Sequence, residues 1–311
     1  HARTPRSRTL ATEPNPPMTP RSTPIAILPD PPPPPTPLGL IAASGRLPVI
    51  VAEGMVKSGH PVYCLGLVGQ YESELPSLCT EFHEAGVLRP ASWGRLLRKM
   101  GVEYAVMVGR VDKASLMHSW AAIVRNRPDW KSLLGWWTIR KDRRSHVMLA
   151  AVAESLAKDG VHLIDSTAHI PDHLATEGQM TKRGPTPGQR ADIEFGWPIL
   201  QELLRLDIGQ AITVRERDVV AVEAVEGTDR MIERTGELCR SVGWTLLKSA
   251  RAGHDRRSDV PTIGPQTIER LHAAGGRCIA VGAGDVILID KPETLALADQ
   301  LGVSVVGLPA V

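Results

Sequence analysis

Three short segments in the second half of the chain combine carboxylates with a glycine beside an apolar run. They are residues 205–210 (RLDIGQ), 223–229 (EAVEGTD) and 255–264 (DRRSDVPTIG). Carboxylates can bind Mg²⁺ or act as a general base, and arginine and lysine can neutralise a phosphate. This combination favours hydrolysis of a phosphate ester or anhydride over redox or nucleophilic-serine chemistry.

The middle segment places two carboxylates where a predicted strand ends and a predicted helix begins. We expect Glu223, Glu226 and Asp229 to be metal ligands, and Gly227 and Thr228 to contact the substrate. The alternative is structural: Thr228 would cap the helix, and Asp229 would be an acid favoured by the helix dipole. That alternative is weaker for Glu223, because a lone charge at the end of an apolar strand is costly.

The third segment is the most highly charged of the three. Asp255 is a further candidate metal ligand, and Asp259 is a candidate general base or metal anchor. We expect Lys248, Arg256 and Arg257 to neutralise charge that builds up on a phosphate. Taken alone, the segment is better explained as a solvated charged loop, but its combination with the other two acidic segments favours a site.

The first half of the chain offers a second set of candidate ligand contacts. Ser44, Gly45 and Arg46 form a turn between a predicted strand and a predicted helix, where backbone N–H groups and the helix dipole favour an anion. Gly109 and Arg110 end another predicted strand, at the edge where open α/β sheets bind ligands. The turn lacks a G-x-G-x-x-G pattern, which argues against a dinucleotide oxidoreductase. An ordinary turn with a solvated arginine is an equally good explanation.

Predicted strands alternate with predicted helices, which indicates an α/β fold with βαβ units and a parallel sheet. We expect a Pro-rich disordered tail at 1–36, one α/β domain at 37–166 and a second at 167–311, with an irregular stretch at 171–187. The predicted strands are 38–43, 61–67, 103–108, 161–164, 211–215, 219–223, 244–249, 278–281, 286–289 and 303–306. The predicted helices are 47–57, 93–100, 114–124, 147–157, 191–206, 228–239, 265–274 and 292–301.

Composition excludes several classes of protein. The net charge of +2 gives no electrostatic case for nucleic-acid binding. The four cysteines have no metal-ligand spacing, which suits buried thiols in a reducing compartment. No apolar run approaches the ~20 residues that span a bilayer, and no signal sequence is evident. We therefore expect a soluble, cytoplasmic protein.

The sequence resembles the UDP-2,3-diacylglucosamine pyrophosphatases of the LpxI type, which act in lipid A biosynthesis. The resemblance extends in the same order over about residues 38–308, and its C-terminal motifs are the more specific. It rests on residues 39–42 (GLIA), 45–48 (GRLP), 205–210 (RLDIGQ), 222–231 (VEAVEGTDRM) and 259–269 (DVPTIGPQTIE).

The resemblance implies a Rossmann-like N-terminal domain and a distinct C-terminal catalytic α/β domain, with the substrate between them, and a homodimer. It implies Mg²⁺-dependent hydrolysis of UDP-2,3-diacylglucosamine, in which water attacks the α-phosphorus. The products would be UMP and 2,3-diacylglucosamine 1-phosphate (lipid X). Asp259 falls on the family's catalytic aspartate, and Gln210, in a shared motif, is a further candidate substrate contact.

A diacylated substrate also implies an approach to the inner membrane, so we expect the protein to be peripheral on its cytoplasmic face. Tryptophans and leucines at 130–137, with basic flanks, would suit interfacial contact. A core-packed segment with basic flanks is a slightly better explanation of this stretch.

Two other functions stay open on the sequence alone. One is a nucleotide-sugar transferase that uses the same cleft. The other is a non-catalytic lipid or nucleotide-sugar binding protein, because the sequence departs from the family pattern at Ala43 and at residues 142–145.

Overall fold

A computed structural model describes residues 28–87, 89–111, 145–257 and 260–309. The predicted helix 114–124, the tryptophan-containing stretch 130–137, Asp259 and most of the predicted tail lie outside these residues. Within the described parts of the chain, no helix is both long enough and apolar enough to cross a membrane.

The N-terminal domain is built on a five-stranded parallel sheet with the strand order β3-β2-β1-β4-β5. This order reverses direction at β1, which is the Rossmann-like arrangement that the family resemblance implies. The strands are β1 (Leu38–Ala42), β2 (Val62–Leu67), β3 (Glu81–Ala85), β4 (Tyr104–Val108) and β5 (His162–Leu163). The helices are α1 (Leu47–Lys57), α2 (Leu75–Leu78), α3 (Pro90–Lys99) and α4 (Ser145–Lys158).

Helices cover both faces of this sheet, as the sequence of β1 shows. Leu40 packs in one apolar cluster with residues of α1, whereas its neighbour Ile41 packs in another with Leu97 of α3 and Leu156 of α4. Successive side chains of a strand point to opposite faces. A strand that is buried on both faces must therefore be apolar throughout, which explains the run LGLIA.

The C-terminal domain has a six-stranded mixed sheet in the order β6-β13-β11-β9-β7-β8. The central strands β9, β11 and β13 are parallel, whereas β6, β7 and β8 are antiparallel to their neighbours. Helix α5 covers one face, and α6, α7 and α8 cover the other. The strands are β6 (Gly178–Gln179), β7 (Ala211–Arg215), β8 (Asp218–Val222), β9 (Trp244–Lys248), β11 (Gly276–Gly282) and β13 (Ser304–Leu308). The helices are α5 (Pro187–Arg205), α6 (Thr228–Leu238), α7 (Pro265–Ala273) and α8 (Lys291–Leu301).

A two-stranded parallel ladder connects the cores of the two domains. It consists of β10 (Thr262–Ile263) and β12 (Ile287–Leu288). Leu288 belongs to the C-terminal core, whereas Ile287 is buried in the N-terminal cluster that contains Leu40. The alternation of side chains along β12 therefore supplies one apolar residue to each domain.

The sequence predicted most of these elements. Helix α1 has the predicted bounds, and the hairpin of β7 and β8 turns at Glu216 and Arg217, whose φ angles are 55° and 60°. The prediction missed α2, β3, β6 and β10, and the stretch 171–187 that was predicted to be irregular contains β6 and a 3₁₀ turn at Pro171–His173. Strand β3 was missed because it is a mostly exposed edge strand with the polar sequence EFHEA. The predicted division after residue 166 stays a prediction.

The segment after β5 contains a histidine whose protonation opposes folding. The His169 ring lies 5.0 Å from that of His60, and its Nε2 atom is buried without a hydrogen-bond partner among the described residues. Burial, and then the charge of His60, lowers the pKa of His169. The neutral imidazole is therefore the form that fits the fold.

We expect His169 to make folding sensitive to acid. Its pKa is lower in the folded chain, so the unfolded chain binds more protons; the associated stability is complete above roughly pH 6.5 and is lost as the pH falls towards the lowered pKa. The unfolding temperature should decrease from pH 8 to pH 5, and should decrease less in His169→Leu. The exposed His162→Gln is the control and should behave as wild type. Equal pH dependence in wild type and His169→Leu would contradict this account.

Candidate active site

Glu223 is a buried carboxylate just past the end of β8. It is 8% exposed. Its Oε1 accepts a hydrogen bond from the Thr228 hydroxyl at 2.7 Å, and its Oε2 accepts one from the backbone N–H of Gln210 at 3.1 Å. These two donors offset the cost of burying the charge. Glu223 is thus not a lone charge, and metal binding by Glu223 stays a prediction.

Gly209 brings the segment after α5 against Glu223. A Cβ atom on Gly209 would lie 2.2 Å from the backbone oxygen of Glu223, far inside van der Waals contact. Only glycine allows this approach, and the approach places the next residue, Gln210, where its N–H reaches the carboxylate. The structure therefore requires glycine at this position of the 205–210 segment, which the sequence alone did not reveal.

Thr228 connects Glu223 to a buried lysine. The Thr228 hydroxyl accepts a hydrogen bond from Lys248 Nζ at 2.9 Å, and Lys248 also donates to the backbone oxygen of Thr262 at 3.0 Å. Lys248 ends β9 and is 6% exposed. A hydroxyl can donate once and accept twice, so Thr228 can serve both charged groups. We call this set, Glu223–Thr228–Lys248–Thr262, the polar chain.

The helix capping that was considered for Thr228 is not what the structure shows. Gly227, with φ of 81°, is the N-cap of α6, and Thr228 is the first helical residue. Its hydroxyl is committed to the polar chain. Asp229 lies in the first turn of α6 and is 3.6 Å from Arg270, which agrees with the structural alternative for that residue.

The polar chain ends on the strand that follows Asp259. Thr262, which accepts the Lys248 hydrogen bond, begins β10, and the N–H of Ile287 donates to Pro261 at 2.9 Å. Val260 packs against the N-terminal apolar cluster. Asp259 itself lies outside the described residues. Its flanking strand, however, is held between the two domains and is bonded to a buried ammonium group.

The two arginines that precede Asp259 have carboxylate partners. Arg256 donates to Asp165 at 2.9 Å and to Thr167 at 2.7 Å, both beyond β5, and to the backbone oxygen of Gly284 at 2.9 Å. These contacts fasten the segment after β5 to the C-terminal domain. Neutralisation of a phosphate by Arg256 stays a prediction. The contacts that the structure shows for Arg256 join two parts of the chain.

Arg257 forms an ion pair with Asp255. The guanidinium donates to both carboxylate oxygens, with Nε at 2.8 and 2.9 Å. Partial burial disfavours the charged carboxylate, but the Arg257 side chain and N–H outweigh it, so the pKa of Asp255 lies below its usual value. Asp255 is therefore ionised at neutral pH and paired with the neighbouring arginine.

The predicted contacts of the N-terminal domain meet at the point where its strand order reverses. Ser44 and Arg110 exchange backbone hydrogen bonds of 3.2 and 2.9 Å across the ends of β1 and β4. Gly109, with φ of 102°, packs so closely on Ala43 that a Cβ would lie 2.7 Å from its carbonyl carbon. The N–H of Gly45 donates to the Glu72 carboxylate at 3.0 Å. This turn therefore presents a backbone donor to an anionic group.

Arg46 contacts both domains. It lies 2.6 Å from Glu74, 3.4 Å from Glu53 and, across the domain boundary, 3.1 Å from Asp290. Arg46 is thus ion-paired as well as partly solvated, and a ligand contact at this turn stays a prediction. The sequence did not indicate Asp290 or Asp165 as partners, because they lie 244 and 91 positions away from Arg46 and Arg256. It did not indicate Thr262 either, because the group that accepts the Lys248 hydrogen bond is a backbone oxygen.

The predicted metal ligands do not converge among the described residues. Glu226 bonds to Arg234; its own backbone N–H and that guanidinium lower the pKa of Glu226. Glu223, Asp229 and Asp255 have the separate partners given above. No three His, Cys, Asp or Glu side chains of the described chain form a group that could hold a metal ion. These residues thus do not form an all-protein Mg²⁺ cage.

The fold and site define a two-domain α/β protein with a Rossmann-like first domain and a buried polar chain at the sheet edge of the second. Known families agree with this description. The LpxI N-terminal domain matches residues 37–173, and the LpxI C-terminal domain matches residues 176–306. The chain belongs to the LpxI family. It is 29% identical to the UDP-2,3-diacylglucosamine pyrophosphatase LpxI of Caulobacter vibrioides over 286 aligned residues. The alignment covers 87% of this chain and 97% of the Caulobacter protein.

The close approach of Gly209 to Glu223 can be tested by adding one methyl group. We expect Gly209→Ala to lower the free energy of unfolding by about 1–3 kcal/mol, because the backbone oxygen of Glu223 cannot move away without breaking the polar chain. Denaturant unfolding measures the change. Gly188→Ala, in the first turn of α5 where nothing lies within 4 Å of a Cβ, is the matched control and should be neutral or slightly stabilising. A neutral Gly209→Ala would contradict the assignment.

Proposed function

We propose that this chain hydrolyses the pyrophosphate bond of UDP-2,3-diacylglucosamine, as the name of its Caulobacter relative describes. The products would be UMP and 2,3-diacylglucosamine 1-phosphate, an intermediate of lipid A biosynthesis. The observation that carries the proposal is that both LpxI domains match this chain in order, together with a relative aligned over 97% of its length.

The polar chain suggests how the C-terminal domain contributes to the reaction. Lys248 is a nearly fully buried ammonium group at the carboxyl end of β9, bonded to the strand that follows Asp259. A fixed cation in a site of low polarity stabilises charge that develops on a phosphate more strongly than it would in water. In this proposal, Lys248 neutralises phosphate charge, Glu223 and Thr228 position Lys248, and Asp259 acts as the general base or as the metal anchor.

We propose that the reaction requires Mg²⁺ or another divalent cation. Mg²⁺ is usually bound through one or two carboxylates plus substrate phosphates and waters. In this proposal the phosphates of the substrate complete the site. When bound, the ion would neutralise the pyrophosphate.

We also propose a cellular location and an oligomeric state for the enzyme. A diacylated substrate resides in a membrane, so we propose a cytoplasmic protein that is peripheral on the inner membrane, and a homodimer by analogy with the family. The residues expected to contact the membrane, 130–137, lie outside the described chain, and so does the basic flank after them.

Asp259 can be tested by an isosteric substitution. Asp259→Asn removes the base but keeps the shape, so we expect release of UMP from UDP-2,3-diacylglucosamine to decrease about 10²–10⁴-fold. Asp218→Asn, at the exposed start of β8, is the control and should keep full activity. Both variants should unfold at the wild-type temperature. Activity of Asp259→Asn near that of wild type would refute the assignment.

The attacked phosphorus can be identified with labelled water. In H₂¹⁸O with Mg²⁺, we expect ¹⁸O in UMP, because water that attacks the α-phosphorus leaves its oxygen on the uridine side. Mass spectrometry of both products locates the label. Label in the lipid phosphate would overturn attack at the α-phosphorus, and turnover that persists after treatment with EDTA would overturn the metal requirement.

A further inference from the structure

A cavity of about 430 Å³ lies at the amino-terminal edge of the C-terminal sheet. Its wall includes Gly243 just before β9, Arg277 in β11 and Ser304 at the start of β13. Lys248 ends the five-residue strand β9 on the opposite edge. At a rise of ~3.3 Å per residue, the two edges are about 13 Å apart along this strand. The cavity is therefore distinct from the candidate active site.

Three arginines from separate parts of the chain line this cavity. Arg183 precedes α5, Arg215 ends β7 and Arg277 belongs to β11. The lining residues are all described and include no aspartate or glutamate. Within the described chain, Arg215 alone of the three has a carboxylate partner, Glu216 at 3.2 Å, whose side chain is 79% exposed. The cavity therefore has an excess of positive charge, which favours an anionic occupant.

Backbone contacts fix the guanidinium group of Arg277, and Arg215 has a buried donor that is not paired among the described residues. Arg277 Nη1 donates to the backbone oxygens of His272 and Gly276 at 2.9 and 2.6 Å, which orients the group without neutralising it. Arg215 Nε is shielded from solvent and has no hydrogen-bond partner among the described residues. A buried donor without an acceptor is costly.

The local backbone also leaves room for the Arg215 guanidinium. Gly243 has φ of 106°, and a Cβ at this position would lie 2.9 Å from Arg215 Nη1. On another wall, Thr186 and Gln189 form the capping box that begins the 19-residue helix α5. The positive end of this helix adds to the field of the arginines.

We propose that this arginine-lined cavity binds a phosphate group, carried by inorganic phosphate or by an organic phosphate monoester. Guanidinium forks match the oxygens of phosphate, and the volume lies within the range of small-molecule sites. A second cavity of about 800 Å³ shares Arg183 and Gly302 with the first, and Pro292, Leu295 and Leu301 form an apolar part of its wall. That wall would receive the organic part of a monoester.

Calorimetric titration of the full chain with sodium phosphate, at an ionic strength held constant with sodium chloride, tests the proposal. We expect saturable binding that Arg183→Gln and Arg215→Gln each weaken about tenfold or more, since each removes a charge-assisted contact. Arg240→Gln, an exposed arginine that does not line the cavity, is the charge-matched control and should bind as wild type. Lys248→Met should also keep this binding, which separates the cavity from the candidate active site.

In Arg183→Gln, a loss of phosphate binding cannot be attributed to misfolding. The Arg183 side chain is exposed and makes no hydrogen bond or ion pair to any residue that the structure describes, so its loss should leave folding and UMP release unchanged. Wild-type phosphate affinity in this variant, or equal loss in Arg240→Gln, would overturn the proposal. Tighter binding of hexyl phosphate than of phosphate would identify a monoester, and equal binding would identify inorganic phosphate.

Discussion

The C-terminal domain depends on one shared hydroxyl group, that of Thr228 between a buried carboxylate and a buried ammonium. Glu223 and Lys248 are each nearly excluded from water, and neither would be stable there alone. Their connection imposes conditions on the surrounding chain. Gly209 must lack a side chain so that the Gln210 N–H can reach Glu223, and Gly227 must adopt a positive φ so that Thr228 begins α6 facing both charges.

The same constraint extends to the relation between the two domains. Lys248 bonds to β10, which pairs with β12, and β12 places Ile287 in the N-terminal core and Leu288 in the C-terminal core. A displacement of Lys248 would therefore act on a ladder that both domains share. The hydrogen-bonded ion pair of Arg256 with Asp165 joins the two domains at the same boundary. Apolar packing and ion pairing thus fix the strand after Asp259 from two directions.

The sequence revealed most of the elements but not the partners of the candidate site residues, for a physical reason. Strand and helix periods are local, so α1 and the β7–β8 hairpin could be read from a few consecutive residues. The acceptor of the Lys248 hydrogen bond is a backbone oxygen, and a backbone oxygen has no signature in sequence. Arg256 looked like a phosphate ligand because its partner Asp165 lies about 90 residues away in the sequence, whereas Arg257 pairs with Asp255 of its own segment.

The mixed topology of the C-terminal sheet explains how charged groups reach both of its edges. Strand β7 is antiparallel to β9, with Ala211 beside Lys248 and Val214 beside Thr245. The residue that ends β7, Arg215, must therefore lie at the edge where β9 begins, whereas Lys248 lies where β9 ends. Arg277 joins Arg215 because β11 begins at the same edge as β9. One hydrogen-bond register thus places the basic cavity and the polar chain at opposite edges of the same sheet.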